Sequence, residues 1–358
     1  MIKTKINAEI VGHSLSPQGD ELISVLCTFP RIILAEVNTH RMLSKNTSSS
    51  RAIPFHKMVE AIENNPFIPI AWQRSHSGMQ GTKYITDLAE IQGKNLMWLA
   101  GRDRAIQTAK NLHEADVTKQ LTNRLLEPFM WTTMLITGSK ESWQNFFELR
   151  CPSYEWEYEE GTIKAKSKEE FLEMFIKRYP TNGEKDLHDW EAVDEHFNPV
   201  DSSLWRSINK GQAEIHMMML SEKIYDVIQE SVPIQLKSNE WHIPMISDLE
   251  SLKLSTDDQI KLSVGRAANT SYTVVGDGKE LTLEHAIKIH DKCVELVHSS
   301  VFEHCARAMS VEEYYRFVKG YGNTDYPEDG FREGSYGWCN NLKGFIPYRY
   351  FIDNKIEV

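Results

Sequence analysis

The residues best suited to chemistry lie in one short polar stretch. Thr39-His40-Arg41 is followed by a run rich in serine, threonine and asparagine that ends at Arg51. Guanidinium groups supply forked, permanently charged donors for phosphate oxygens, and serine hydroxyls and loop N–H groups can complete a concave anion site. The pattern therefore indicates an anion-binding loop, although a solvated serine loop would have the same composition.

The elements around this stretch must position it. Residues 22–29 are typical of a strand, and Pro30 predicts the start of a helix that ends at His40-Arg41. Residues 44–54 are expected to form a polar loop, because Ser, Thr and Asn side chains bond the backbone locally and compete with regular structure. Residues 84–127 are expected to be mostly helical, with Gly101 and Asp116 marking a break between two helices.

Further along the chain, residues 130–137 predict a strand and residues 142–150 a helix. The spacing of apolar residues predicts amphipathic helices over 212–229 and 283–298, and the run 217–220 is assigned to the core rather than to a flexible ligand surface. Residues 151–210 mix aromatic, acidic and basic residues and are interpreted as an insertion or small subdomain. Residues 1–150 and 211–313 then form one domain, and 314–358 a C-terminal extension.

The bulk composition excludes several classes of protein. The chain has 358 residues, 41% hydrophobic and 25% charged, with a net charge of −11, which is ordinary globular composition. The acidic balance disfavours nucleic-acid binding, and the short apolar runs predict neither a membrane span nor a signal peptide. Five scattered cysteines and thirteen histidines without a ligand-spaced pair predict no metal site. A cytoplasmic protein is expected, or one of the host cytoplasm if it is viral.

The polar stretch resembles the signature of flavin-dependent thymidylate synthases, which reads Arg-His-Arg, seven residues, then Ser, commonly with Arg two places later. Here Thr39-His40-Arg41 is followed after seven residues by Ser49 and then by Arg51. Thr39 stands where the family has its first arginine. The match is therefore incomplete, and it depends on support from elsewhere in the chain.

Further blocks resemble the same family. They are His298-Ser299-Ser300-Val301-Phe302-Glu303-His304, Gly265-Arg266-Ala267-Ala268 with Thr270-Ser271-Tyr272, Arg124-Leu125-Leu126-Glu127-Pro128 with Ser142-Trp143-Gln144-Asn145-Phe146-Phe147-Glu148-Leu149-Arg150, and Gln212-Ala213-Glu214-Ile215. In the family the first two of these blocks precede the His-Arg signature, whereas here they follow it. The cyclic order is preserved, as in a circular permutation, which proteins tolerate when the native termini lie close together.

The resemblance implies an α+β fold, with a mixed or antiparallel sheet flanked by helices in permuted order. It implies a homotetramer with shared active sites. The implied activity transfers a one-carbon unit from methylenetetrahydrofolate to C5 of a pyrimidine deoxynucleotide, methylating dUMP to dTMP with FAD and NADPH. No G-x-G-x-x-G follows a predicted strand, so a Rossmann-type site is not the basis of this expectation.

The resemblance also implies roles for individual residues. Arg150 would stabilise negative charge on the uracil carbonyls, although an arginine at a helix C-terminus can equally cap carbonyls. The nucleotide-binding residues would be Glu36, Ser49, Ser50, Arg51 and, from another subunit, Arg124. The flavin-binding residues would be His40, Arg41, Asn46, Asn145, His298 and Ser300. Glu303 and His304 fit a functional role or a purely structural one.

Several positions depart from the family pattern. Thr39 replaces an arginine, Thr47 a glutamate and Glu36 a glutamine, and Lys140-Glu141 replaces an Ala-Arg pair. A dUMP or dCMP hydroxymethylase, which traps the one-carbon adduct with water, would need much the same pocket. A non-catalytic protein that binds flavin or nucleotide is the alternative from another class.

Overall fold

A computed structural model describes residues 4–77, 83–158, 161–178, 203–271, 275, 281–318 and 341–356. Its centre is a five-stranded sheet in the order β3-β4-β2-β1-β7. The strands are β1 (Asn7–Leu15), β2 (Glu21–Pro30), β3 (Ser44–Thr47), β4 (Trp131–Ser139) and β7 (Ile234–Gln235). β1 pairs with β7 in parallel and the other neighbours are antiparallel, so the sheet is mixed.

One face of this sheet is apolar and covered by two helices, α5 (Lys140–Arg150) and α8 (Ile215–Glu230). Alternate residues of a strand point to the same face, and here Val25 of β2 lies opposite Ile136 of β4. Both are fully buried, together with Trp143 of α5 and Met217 of α8. Met217, Met218 and Leu220 of the run 217–220 are therefore buried in the core, as predicted, whereas Met219 is half-buried and lines a cavity.

The opposite face carries a row of buried polar side chains beneath a second, three-stranded sheet. The cover consists of β8 (Trp241–His242), β9 (Ala306–Ala308) and β10 (Phe345–Pro347), with α10 (Thr256–Thr270) and the 3₁₀ segment Ser299–Glu303 beside them. The flanking helices and turns are α9 (Asp248–Lys253), α11 (Leu283–Glu295), α12 (Val311–Phe317) and α13 (Tyr348–Asn354). A Cβ added at Gly12 would lie 2.8 Å from His242 Cε1, so glycine permits this close approach.

A hydrogen-bonded chain joins the two sheets. Ser14 Oγ lies 2.8 Å from His242 Nδ1, and His242 Nε2 lies 2.8 Å from Ser24 Oγ. Ser24 Oγ in turn lies 2.6 Å from Thr137 Oγ1, which is 2.9 Å from His304 Nδ1. We call these five residues the buried polar chain. Burial lowers the pKa of both His242 and His304 to about 3, so both imidazoles are neutral.

A layer of helices lies next to the beginning of β4. It contains α1 (Leu34–Asn38), α2 (Phe55–Asn64), α3 (Leu88–Glu114), α4 (Lys119–Thr122) and the 3₁₀ segments Arg31–Ile33 and Asn123–Phe129. Met58, Ile62, Ile106 and Leu126 form its core. Asp87 caps the start of α3 by accepting from the Glu90 N–H.

The region 151–210 builds a small cluster of its own. β5 (Tyr154–Tyr158) and β6 (Gly161–Ala165) form a hairpin beside α6 (Lys168–Arg178) and α7 (Ser203–Ile208). Tyr154, Ile163, Phe171 and Trp205 are buried together. The period-two alternation of aromatics with glutamates in 154–158 is the sequence pattern of that first strand.

The α+β prediction, with a mixed sheet flanked by helices, is confirmed, but four local predictions are wrong. α3 continues through Gly101, and the helical conformation ends only near Asp116, whose φ is 63°. The first helix ends at Asn38 rather than at His40-Arg41. The expected loop 44–54 begins as an edge strand, because β4 supplies backbone partners for 44–47. α11 ends at Glu295, and Val297, expected on its buried face, is exposed.

Candidate active site

The serine loop, residues 48–53, is held in place by charged side chains from two neighbouring elements. Arg31 donates to the Ser48 carbonyl at 2.6 Å, and its Nη2 lies 3.4 Å from the Glu127 carboxylate. The Ser50 hydroxyl donates to the same carboxylate oxygen. The Ser50 side chain is therefore occupied by Glu127, and the residue is only 1% exposed, so Ser50 fixes the loop rather than facing a ligand directly as predicted.

Two further side chains hold the loop backbone. Asn123 Nδ2 donates to the carbonyls of Ser50 and Ile53 at 2.6 and 3.0 Å. Lys119 Nζ donates to the Ala52 carbonyl at 2.8 Å. A loop whose carbonyls are bound from below presents a fixed outer surface, which is the geometry that a preorganised anion site requires.

Ser49, Arg51 and Arg124 lie on the outer side of this loop. Ser49 is half-buried, whereas Arg51 and Arg124 are exposed. The Ser49 N–H donates to the Ser271 carbonyl at 2.9 Å. The pKa of Arg31 is lowered, mainly by burial. The carboxylate of Glu127 raises this pKa, and the positive charge of Arg124 lowers it. Arg124 follows Asn123, which binds the Ser50 and Ile53 carbonyls, so Arg124 lies beside the loop of its own chain, whereas the resemblance implied the loop of another subunit.

Arg150, at the end of α5, contacts the predicted His-Arg segment. Its Nε donates to His40 Nε2 at 2.9 Å, and its Nη2 donates to Thr39 Oγ1 at 3.3 Å. Because Nε2 accepts, it must carry a lone pair. Burial, aided by the charges of Arg150 and Lys45, lowers the pKa of His40 to about 4. A neutral imidazole and a hydroxyl therefore orient the guanidinium without cancelling its charge.

Lys45 and Glu36 lie on either side of the same segment. Lys45 Nζ donates to the His40 carbonyl, and burial lowers the pKa of Lys45 to about 8 although Glu303 opposes this. Glu36 is half-buried, and its Oε2 is a buried oxygen without a hydrogen-bond partner. An unpaired buried acceptor beside an arginine-bearing segment is costly unless a donor binds there.

Asn46 joins the serine-rich segment to the two blocks from the far end of the sequence. Its Nδ2 donates to the Ala267 carbonyl and lies 3.2 Å from Thr270 Oγ1. Its Oδ1 accepts from Ser300 Oγ at 3.5 Å. The register of β3 against β4 puts Asn46 on the polar face and Lys45 on the helix-covered face. The edge strand β3 therefore separates Arg150 and His40 from Ser300.

Glu303 and His304 do not pair with each other. Glu303 accepts from Arg349, and His304 belongs to the buried polar chain through its Nδ1. His304 Nε2 is buried and has no hydrogen-bond partner. Arg266, in the neighbouring block, is bound by Glu250, whose carboxylate accepts at 2.5 and 2.9 Å. Arg266 therefore anchors α9 to α10.

The remaining predicted flavin residues are spread more widely. Arg41 and His298 are exposed and Ser300 is half-buried. Asn145 is exposed and lines a different cavity, of about 640 Å³, with His13 and Tyr225. Residues five apart lie about 140° apart around a helix, so Asn145 and Arg150 point to different sides of α5. Tyr272 lies outside the described residues.

The supporting residues were not found from the sequence. Some of these residues are distant from the serine loop in the sequence, and others are outside the positions that match the family: Arg31, Asn123, Glu127 and Lys45. They act on backbone carbonyls or through a single carboxylate. Glu127 lies within the Arg124–Pro128 block, three residues after Arg124. That spacing was the one sequence feature that could have indicated a carboxylate supporting the serine loop.

The part of the chain that the structure describes contains no group of three or more His, Cys, Asp or Glu side chains able to hold a metal ion. Within the same residues, no helix has the length and apolar character needed to cross a membrane.

No protein-family model and no curated protein matches this chain. Among solved structures, the UMP/dUMP methylase PolB from Streptomyces cacaoi, bound with 5-Br dUMP, overlaps with a TM-score of 0.35 and 11% identity, covering 59% of this chain and 99% of that chain. The same methylase bound with 5-Br UMP gives a TM-score of 0.34 and 13% identity, covering 59% of this chain and 98% of that chain. Overlaps this weak establish no shared fold, and the proposal below rests on the residues of this chain.

Proposed function

We propose that this chain transfers a one-carbon unit from methylenetetrahydrofolate to C5 of a pyrimidine deoxynucleotide, methylating dUMP to dTMP with FAD and NADPH. One observation carries the proposal. The blocks that resemble flavin-dependent thymidylate synthases are scattered from residue 39 to residue 304, yet three of the four further blocks meet the segment 39–51 through Arg150, Glu127, Ala267 and Ser300. Their convergence despite the rotated order is what a circularly permuted member of that family would show.

Arg150 would activate the pyrimidine. Carbon transfer to C5 requires negative charge on the uracil carbonyls, and a fixed guanidinium aimed at them stabilises it. His40 and Thr39 hold two edges of the Arg150 fork, and His40 is neutral because its pKa lies near 4. The guanidinium thus keeps its full charge for the ring.

The serine loop would hold the nucleotide phosphate. Arg51 and Arg124 would supply charge and the Ser49 hydroxyl a further donor, on a loop that Ser50 and Glu127 hold in place. In a chain with a net charge of −11, such a local cation group is needed to attract an anion against the overall field. Glu36, with its unpaired buried oxygen, would accept a hydrogen bond from the nucleotide.

The residues of one chain fit part of an FAD. Asn46 and Ser300 would contact the flavin on the polar side of β3, where His304 Nε2 is a buried atom with no hydrogen-bond partner among the described residues. His40 lies on the other side of β3, and Arg41 and His298 are exposed, so these three would contact other parts of the flavin. Asn145 lies on another side of α5, so its contact with the same flavin requires a second subunit, in keeping with a shared-site homotetramer. When bound, FAD passes hydride from NADPH, and the folate supplies the carbon.

We also propose that 1–150 and 211–313 form the permuted catalytic domain, and that 151–210 is an insertion. The separate apolar cluster around Phe171 supports this division. The insertion contacts the catalytic domain through Glu222 of α8, which accepts from the Lys168 N–H at 2.9 Å.

A product assay tests the function. Purified protein should have flavin absorbance and should convert dUMP to dTMP with methylenetetrahydrofolate and NADPH, measured by product mass. A hydroxymethyl product from dUMP or dCMP without NADPH would contradict the methylase and establish the hydroxymethylase, for which Thr39 in place of an arginine is the favouring observation. Flavin binding without turnover of either nucleotide would contradict both enzymes.

Substitution of Arg150 tests its role within that assay. Arg150→Ala should lower kcat by a factor of 100 or more, because an oriented charge on the transition state is worth roughly 3 to 4 kcal/mol, while flavin stays bound. Arg150→Lys should recover little, since lysine lacks the fork. Arg104→Ala, which changes an exposed arginine on α3, is the control. Equal turnover in the Arg150 and Arg104 variants would remove Arg150 from the mechanism.

A further inference from the structure

A second cavity, of about 600 Å³, lies away from the serine loop. It is enclosed by the segment 64–70, by α3 at Asn95 and Arg102, by α8 at His216 and Lys223, and by the residues before β1. Its volume falls within the range of ligand pockets, roughly 300 to 1,000 Å³. Lys5 and Lys223 are exposed and Arg102 is half-buried, so the cavity opens to solvent. It is named the α3–α8 cavity below.

The walls of this cavity are aromatic and aliphatic. Phe67 and Trp131 meet edge to face with ring centroids 5.5 Å apart, and Phe67 packs in the same way on His216 at 5.1 Å. Ile68, Ile70, Leu99 and Met219 complete the apolar lining. Trp131 is half-buried and lines both this cavity and a neighbouring one, and its indole N–H is buried with no acceptor among the described residues. A buried indole usually finds a partner, so this N–H indicates an acceptor that a bound molecule would supply.

The charge of the lining is opposite to that of the chain. Lys5, Arg102, Lys168 and Lys223 line the cavity, and Glu222 is the one carboxylate among the described residues of its lining. Both Glu222 oxygens already accept hydrogen bonds, from the Lys168 N–H at 2.9 Å and the Tyr154 hydroxyl at 3.4 Å. Burial also raises the pKa of Glu222, so this carboxyl offsets the cations less than an exposed one would.

Two of these cations are only weakly neutralised. Lys223 Nζ lies 3.9 Å from Asp226, which is longer than a hydrogen bond. Arg102, whose side chain is 18% exposed, donates to Asp103 Oδ1 through Nε at 2.8 Å and Nη2 at 2.7 Å, but the Asp103 side chain is 63% exposed, so solvent screens that carboxylate while Nη1 of Arg102 remains for an anion. A low-dielectric cavity with cations at its mouth concentrates anions locally even when the whole protein is acidic.

From this combination we infer that the α3–α8 cavity binds a planar heteroaromatic compound with a terminal anion, its ring between Trp131 and the aliphatic wall and its anion at Arg102 and Lys223. A folate carries carboxylates of this kind and a nicotinamide dinucleotide carries phosphates. The inference does not rest on the proposed nucleotide chemistry, because it concerns binding at a separate place.

Isothermal titration calorimetry of the full chain with 5-formyltetrahydrofolate and, separately, with NADP⁺ tests the inference. We expect at least one of them to bind in the α3–α8 cavity, so that Arg102→Ala and Lys223→Ala each weaken its binding about tenfold, since each removes a charge-assisted contact. Arg104→Ala, two residues away on α3 and exposed, should leave it unchanged. Which ligand binds decides between carboxylate and phosphate.

Two results would overturn the inference. One is that neither compound binds to the native chain. The other is that a compound binds equally to the Arg102, Lys223 and Arg104 variants, which would place it elsewhere. Far-ultraviolet circular dichroism of each variant shows that it is folded, and Lys223→Met, which keeps the length of the side chain without its charge, should weaken binding as Lys223→Ala does. Binding that depends on Arg102 and Lys223 in a chain without dUMP turnover would contradict the proposed function alone, and turnover in a chain whose ligand binding is insensitive to both substitutions would contradict this inference alone.

Discussion

The two faces of the central sheet are built on different principles. The face under α5 and α8 is filled by apolar side chains such as Val25, Ile136 and Trp143. The face under the small sheet buries Ser24, Thr137 and two histidines in one hydrogen-bonded chain. Apolar packing is non-directional and tolerates substitutions that conserve volume, whereas a buried polar network is stable only when each member is satisfied. The first face should supply stability, and the second should fix the position of the small sheet.

The largest expected effect is on the helix-covered face. Ile136→Ala should lower the free energy of unfolding by roughly 2 to 5 kcal/mol, because it removes buried methylenes and leaves a cavity. Ile136→Val, the matched control, should cost only about 0.5 to 1.5 kcal/mol. Urea unfolding followed by circular dichroism measures both. Similar losses for the two variants would show that packing volume does not govern this face.

A smaller loss is expected on the polar face. Thr137→Val keeps the shape of the side chain but removes the partner of both Ser24 and His304. Unpaired buried polar groups cost about 1 to 3 kcal/mol, so we expect destabilisation in that range. Thr133→Val, at a half-buried position of β4, should change stability by less. If the two variants unfold at the same urea concentration, the hydrogen bonds of the buried polar chain contribute nothing to the free energy of unfolding.

The smallest expected effect, counted per histidine and per pH unit, is the loss of unfolding free energy on acidification. The folded pKa of His242 and His304 lies near 3, below the unfolded value of about 6.5. Below that pH the unfolded state binds more protons than the folded one, so stability falls as the pH falls, by on the order of 1 kcal/mol per pH unit for each histidine. Asp226, whose pKa burial raises to about 6, and Glu222, whose pKa burial also raises, oppose this effect, whereas His40, whose pKa lies near 4, adds to it.

Urea midpoints at about pH 7.5 and about pH 5 measure the acid effect. The midpoint should be lower at the acidic pH, and His56→Gln, which changes an exposed histidine, should keep the same dependence. A midpoint that does not change between the two conditions would contradict buried neutral histidines on the polar face.

The sequence predicted the apolar face better than the polar one. The strand 130–137 and the helices over 142–150 and 212–229 follow from hydrophobic periodicity, which is a local signal. The buried polar chain joins residues 14, 24, 137, 242 and 304, and no local pattern records such distant pairings. β3 was missed for a related reason, because its serine, lysine and asparagine become a strand only when β4 supplies partners.

The candidate site divides in the same way. His40, Arg41, Ser49, Arg51 and Arg150 were indicated by motif spacing, and the contact between Arg150 and His40 is consistent with that interpretation. The residues that hold the loop were not indicated. Glu127 and Asn123 act through one carboxylate and one amide across more than seventy residues, and such contacts become visible only when the fold is known.

The buried polar chain also couples the tautomers of its two histidines. Each hydroxyl has one hydrogen and each neutral imidazole one N–H. If Ser14 donates to His242 and every later hydroxyl donates onward, Ser24 to Thr137 and Thr137 to His304, then the proton of His304 lies on its unpaired Nε2. If every hydrogen bond of the chain runs in the opposite direction, His304 Nε2 becomes an acceptor. The Ser14 hydroxyl then accepts from His242, and its own hydrogen is free to bond elsewhere. A molecule that meets Nε2 as a donor or as an acceptor therefore selects the protonation pattern of His242, two hydroxyl groups away.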